Sequence, residues 1–97
     1  MNLKTLIPYT EKSIVSHQLA RTEKVEITLF ACDKGEKIHP HQIPTSAWLR
    51  VEEGLLDVLI GENTHSLTEG DFIELPPNIP HALSALDKTR FLLIREL

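Results

Sequence analysis

At 97 residues the chain is the size of one domain, and its 41% hydrophobic and 25% charged content is that of an ordinary soluble globule. A net charge of −4 argues against a nucleic-acid partner, and the lysines and arginines are scattered singly with no basic stripe. The single cysteine, Cys32, excludes an internal disulfide and fits a reducing cytoplasm, while MNLKTLIPYTEK at the start holds no apolar run long enough for a signal peptide or a membrane span.

Taken in chain order, LKTLI (3–7) reads as a turn of helix or a strand that pairs elsewhere, and SIVSHQLA, which carries His17, reads as a strand. Residues 1–23 form an N-terminal segment open to exchange in a dimer, and 24–97 form the main barrel. In KVEITLFA (24–31), Val25, Ile27, Leu29 and Ala31 alternate with polar residues, a period of two that marks one buried face. SAWLRVEE (46–53) sets Ala47, Leu49 and Val51 against Ser46, Trp48, Arg50 and Glu52. LLDVLI (55–60) is apolar on both faces except at Asp57, as expected of a strand covered on both sides. DFIEL (71–75), HALSAL (81–86) and RFLLI (90–94) follow at short spacing. The four glycines fall in four predicted turns, DKGE, EEGL, IGEN and TEGD, and the three prolines of LPPNIP (75–80) place that stretch in a rim loop or edge. Many short strands with close turns predict an all-β barrel or sandwich. Trp48, Phe30 and the doubly apolar strand exceed what one small core needs, which points to a homodimer.

IHPHQIP (38–44) holds the first chemical signal. Alternate strand residues share a face, so His39 and His41 can reach into one space, and closure of the sheet can bring His81 across from them. Three neutral imidazoles suit a divalent transition metal (iron, zinc, nickel, manganese or copper) better than magnesium or calcium. The alternative is that they hydrogen-bond the barrel mouth around a polar ligand. Asp57 and Glu74 are general-base candidates if they face the cavity, although such residues more often sit on a solvated face. His65, in the hairpin ENTHSL, and His17 read as surface residues, and Cys32 as a small core or turn residue.

GEKIHPHQIPTSAWLRVEEG (35–54) and GDFIELPPNIPH (70–81) together resemble the two motifs of the cupin family, over roughly residues 24 to 94. The resemblance implies a small single-domain, RmlC-like jelly-roll β-barrel, commonly dimeric, with a metal near its wide mouth. It assigns His39, His41 and His81 as metal ligands. Asn78 stands where the second motif usually has glycine, a mild change because asparagine tolerates a left-handed turn. The family's glutamate ligand falls on Ala47, and no Asp or Glu occurs between Glu36 and Glu52. Gln42 and Ser46 are the nearby side chains that could supply an oxygen instead.

A three-imidazole site leaves the ion's charge uncompensated, and so favours an anionic or bidentate oxygen ligand. Ala47, Leu49, Val51 and Leu83 are predicted to line a dry pocket beside it. The sequence therefore points to a barrel that binds or transforms a small oxygenated molecule at a metal centre, with oxygenase-like and isomerase-like chemistry both open. The alternative is a non-catalytic binding or sensor module.

Overall fold

The computed structural model describes all residues, Met1 to Leu97. It contains nine strands and no helix: β1 (Ile14–Arg21), β2 (Val25–Cys32), β3 (Lys37–His41), β4 (Ala47–Glu53), β5 (Leu55–Ile60), β6 (Asn63–Thr68), β7 (Phe72–Leu75), β8 (His81–Ala85) and β9 (Thr89–Glu96). They pair antiparallel into a five-stranded sheet, β1-β2-β9-β4-β7, and a four-stranded sheet, β3-β8-β5-β6. No helix is long and apolar enough to cross a membrane.

The two sheets face each other across one core. Cys32, Ala47, Leu49, Val51, Leu75 and Phe91 come from the first sheet, and Leu56, Val58, Leu67, Leu83 and Ala85 from the second. Each buried Val, Leu or Phe side chain contributes about 1.5–3 kcal/mol relative to exposure, so this shared interior holds the sheets together. Phe30 stacks on Phe91 with centroids 4.9 Å apart. The alternation expected in 46–53 holds from Ala47 to Val51, with Ala47, Leu49 and Val51 buried and Arg50 exposed on the other side. It breaks at Glu52, which is buried as well and accepts from Arg50 where the ladder to β9 shifts register.

Gly54 alone carries the chain from β4 in one sheet to β5 in the other. Its φ is +101°, and a Cβ there would overlap the Lys88 carbonyl and lie 2.6 Å from Thr89 Oγ1. Thr89 is fully buried and accepts the Leu55 N–H at 3.1 Å, so the corner is tied as well as tight. Only glycine satisfies both the left-handed backbone and the close approach.

The second buried face of β2 differs from what alternation implies. Leu29 and Ala31 are buried as expected, but outside the barrel, where Leu3, Leu6, Ile7 and Tyr9 pack over them. Residues 3–7 are turn and bend rather than helix or strand. Arg90 holds this segment down. Its Nε and Nη2 donate to the Ile7 carbonyl at 3.1 and 2.9 Å, Nη1 donates to Glu53 at 2.6 Å, and its guanidinium lies 4.0 Å over the Tyr9 ring. Strand β1 continues the same sheet by pairing with β2 in its own chain.

Strand β5 also departs from expectation. Leu56 and Val58 are buried, but Leu55, Asp57 and Leu59 on its outer side are only half-buried, and Asp57 and Leu59 line an open groove of about 270 Å³. Strand β6, which pairs with β5 along its whole length, is polar except at Leu67 and left no apolar alternation to read.

Candidate functional site

His41 and His81 are register partners across β3 and β8. Their Nε2 atoms stand 3.1 Å apart, with the rings edge to face at a centroid distance of 4.3 Å. What brings them together is a break in the ladder. Ile38 pairs with Leu83 and His41 with His81, so β3 spends three residues where β8 spends two. This bulge, at His39-Pro40, shifts the side-chain parity of the strand and turns His41 inward. Pro40 has no N–H to offer the ladder, which suits it to the bulge. On the other strand, the β7–β8 loop is pinned by Asn78, which has φ of +62° and donates its backbone N–H to the Ile43 carbonyl at 2.8 Å. The left-handed turn expected at Asn78 is therefore present.

The two rings have different surroundings. His41 is exposed, and its Nδ1 lies 3.1 Å from the His39 carbonyl. A carbonyl only accepts, so His41 carries its proton on Nδ1 and presents the Nε2 lone pair toward His81. His81 is 4% exposed, and its Nδ1 makes no hydrogen bond. Burial, and then the proximity of His41, push the His81 imidazole below its ordinary range near 6.5. The Ile79 backbone opposes that fall weakly, without reaching hydrogen-bond geometry. His81 is thus held neutral, the form in which imidazole binds a metal.

Two nitrogens each about 2.1 Å from a common ion, at a right angle, stand ~3.0 Å apart. The observed 3.1 Å between Nε2 atoms is close to that spacing and is also a hydrogen-bond distance, whereas a tetrahedral ion would set them ~3.4 Å apart. Beside the pair lies a cavity of about 180 Å³, lined by Phe30, Ile38, Leu75, Leu83, Phe91 and Leu93 as well as the two imidazoles. It is an apolar chamber with its polar groups at one place, the form small-molecule sites take.

The remaining sequence-predicted residues lie as follows. His39 sits in the bulge, exposed, and lines the outer groove with Lys37, Asp57 and Ser84 rather than the chamber. No group of three His, Cys, Asp or Glu side chains converges anywhere in the fold. Leu83 lines the chamber, whereas Ala47, Leu49 and Val51 lie in the packed core adjoining it. Gln42 is exposed and Ser46 half-buried, and no hydrogen bond ties either side chain to the imidazoles. Neither general-base candidate faces the chamber. Asp57 points to the outer groove and accepts a bond from Ser66 at 2.6 Å, and Glu74 is exposed. His17 and His65 are exposed on β1 and β6. Cys32 is a core residue whose thiol is pushed up to about 11, first by burial and then by the Glu36 charge.

Sequence reasoning overlooked Arg95, next inward-facing position after Phe91 and Leu93 on β9. The alternation of RFLLIRE carried the signal, because the inner phase of that strand ends on a charge.

The model of the cupin domain matches residues 28–95, most of the chain. A conserved protein of unknown function from Streptococcus pyogenes is 30% identical over 99% of this chain and 84% of its own, with a TM-score of 0.93. A cupin 2 conserved barrel domain protein from Leptotrichia buccalis is 30% identical over 100% of this chain and 47% of its own, at 0.94. A cupin superfamily protein from Desulfitobacterium hafniense shares the fold at 22% identity, with a TM-score of 0.95 over 100% of this chain and 89% of that one. No curated protein matches the sequence. The motifs around the paired imidazoles, the two facing sheets and the extent of the domain match agree, and the chain belongs to the cupin family.

Proposed function

We propose that this barrel binds a small oxygenated molecule, anionic or bidentate, at a divalent transition metal held by His41 and His81. The observation that carries the reading is the 3.1 Å spacing of two Nε2 atoms, one with its lone pair aimed inward and the other on a ring kept neutral by burial. His39 completes a three-imidazole set only when the bulged end of β3 turns its ring inward; otherwise the grip is two imidazoles and the ligand or water supplies the rest. A bound ion would act as a Lewis acid or oxygen-activating centre. The chain's own residues do the remainder. The His41 Nδ1–H bond to the His39 carbonyl fixes that ring's orientation, and Phe30, Phe91, Leu75 and Leu93 exclude water from whatever enters the chamber.

Protein stripped with a chelator and titrated with nickel or zinc tests the assignment. One equivalent should bind, and His81→Ala should abolish retention. No binding, or binding unaffected by that change, removes the metal reading.

A second reading, a metal-free binding or sensor module, draws on the same contact, since 3.1 Å is also a hydrogen-bond distance and no third donor converges. Ligand binding that persists in chelator would favour it. Self-association belongs to the proposal as well. Phe72 is 57% exposed on the outer side of the five-stranded sheet, where Trp48 and Ile94 are register partners. Sedimentation of wild type and Phe72→Glu checks it, with a shift to monomer expected.

A further inference from the structure

We propose that Arg95 is the anion-recognising residue of this barrel, so that the ligand is a small carboxylate whose acid group meets the guanidinium in the cavity it shares with Ile43, Pro44 and Thr45. The inference deepens the small-molecule reading above and rests on it, but not on the metal.

Placement comes first. Arg95 follows Phe91 and Leu93 on the inner phase of β9 and is paired in register with Glu26 on one side and Ala47 on the other. Ala47 in turn pairs with Leu75. Leu93 and Leu75 both line the histidine chamber, so Arg95 stands beside its rim. It also lines a further cavity of about 270 Å³ formed with Ile43, Pro44 and Thr45, the loop that follows His41. Thr45 closes that loop onto β9 by donating to the Glu96 carbonyl at 2.6 Å.

The chemistry is that of a guanidinium with capacity left over. Arg95 Nη2 donates to Glu26 Oε1 at 3.1 Å, but its Nε is buried and has no partner. Glu26 is shared, since its other oxygen accepts from Arg21 Nη1 at 3.2 Å. Arg21 is mostly exposed and Arg95 partly so, and water screens both, but two guanidiniums share this one half-buried carboxylate and neither is fully matched by it. Glu96 borders the same cavity, but its side chain is exposed and its charge is dispersed in water. Ala47, the register partner of Arg95 on β4, is buried and supplies no counter-charge. A buried N–H in a guanidinium fork is matched by a carboxylate, which accepts two parallel bonds. The negative charge absent from the protein is then brought by the ligand.

The test uses the full chain and small acids as probes: oxalate, malonate and succinate, with malonamide as the neutral control. Binding is measured calorimetrically in chelator and again with one equivalent of nickel. A diacid should bind and the diamide should not. Arg95→Gln should weaken binding by roughly tenfold or more, the loss of one charge-assisted bidentate contact. Arg95→Lys, which keeps the charge and loses the fork, should fall between. Glu26→Gln removes the competing carboxylate and should tighten binding about threefold, a gain that a purely structural role for Arg95 does not produce. Circular dichroism confirms each fold, and the lysine and Glu26 variants decide the matter where the glutamine variant does not fold. Equal affinity across folded variants, or no diacid binding in wild type under either condition, overturns the proposal. Arg95-dependent binding in chelator upholds it even where the metal reading fails. Nickel uptake with Arg95-independent diacid binding overturns it while the metal reading stands.

Discussion

Replacing His81 by leucine should stabilise the metal-free protein while destroying its site. His81 is 4% exposed and its Nδ1 is unpaired, and a buried unsatisfied group costs about 1–3 kcal/mol. Losing the contact to His41 Nε2 costs ~0.5–1 kcal/mol, a small sum because His41 is exposed and turns to water instead. A leucine would add apolar contact with Phe30, Leu75 and Phe91 in the chamber, worth about 1 kcal/mol. The balance is a gain of ~1–3.5 kcal/mol, with a rise in Tm of roughly 4–8 °C per kcal/mol for a chain of this size. Urea and thermal unfolding in chelator at pH 8 measure it, and calorimetry with nickel follows the loss of binding. A destabilisation of more than ~1 kcal/mol would refute the reasoning, because it would make His81 a satisfied structural residue and not one retained at a cost to stability.

Three further outcomes follow from the same structure. The neutral form of His81 is the one the fold prefers, so its contribution to stability is complete above pH 6.5 and is lost as pH falls below it; unfolding free energy measured in chelator should decline on acidification, and His81→Leu should flatten that slope. Gly54→Ala should cost at least ~3 kcal/mol by chemical denaturation, since it combines a left-handed backbone with overlap on β9, and a loss below ~1 kcal/mol would contradict the corner described here. Cys32, with its thiol pushed up to about 11, should resist iodoacetamide at pH 8 in the native state and react only as the protein unfolds. Labelling of native protein at the rate of the unfolded chain would contradict its burial.

The two motifs made the fold and the His41–His81 pairing legible in the sequence, because glycine turns, two-residue periodicity and motif order are local properties. His39 was harder to place. Alternation puts it on the same face as His41, but the bulge at His39-Pro40 breaks that parity, and the extra residue is visible only in the pairing with β8. The buried phase of β2 was read correctly as buried, but its cover comes from Leu3, Leu6 and Ile7, a tertiary contact with no periodic signature. Strand β6 is held by backbone pairing to β5 and not by apolar alternation, so its side chains announced nothing. Arg95 matters because of what stands beside it, namely Ala47 in register and a Glu26 already shared with Arg21. Such neighbours are set by strand order.

The most direct measurement is a long-range nitrogen–proton NMR map of the five histidine rings, recorded while zinc is added to chelator-treated protein. The account predicts that Nε2 of His41 and Nε2 of His81 shift together and saturate at one equivalent, while His17 and His65 stay unmoved. Shifts confined to His17, His39 or His65, or none at all at the paired nitrogens, would contradict it.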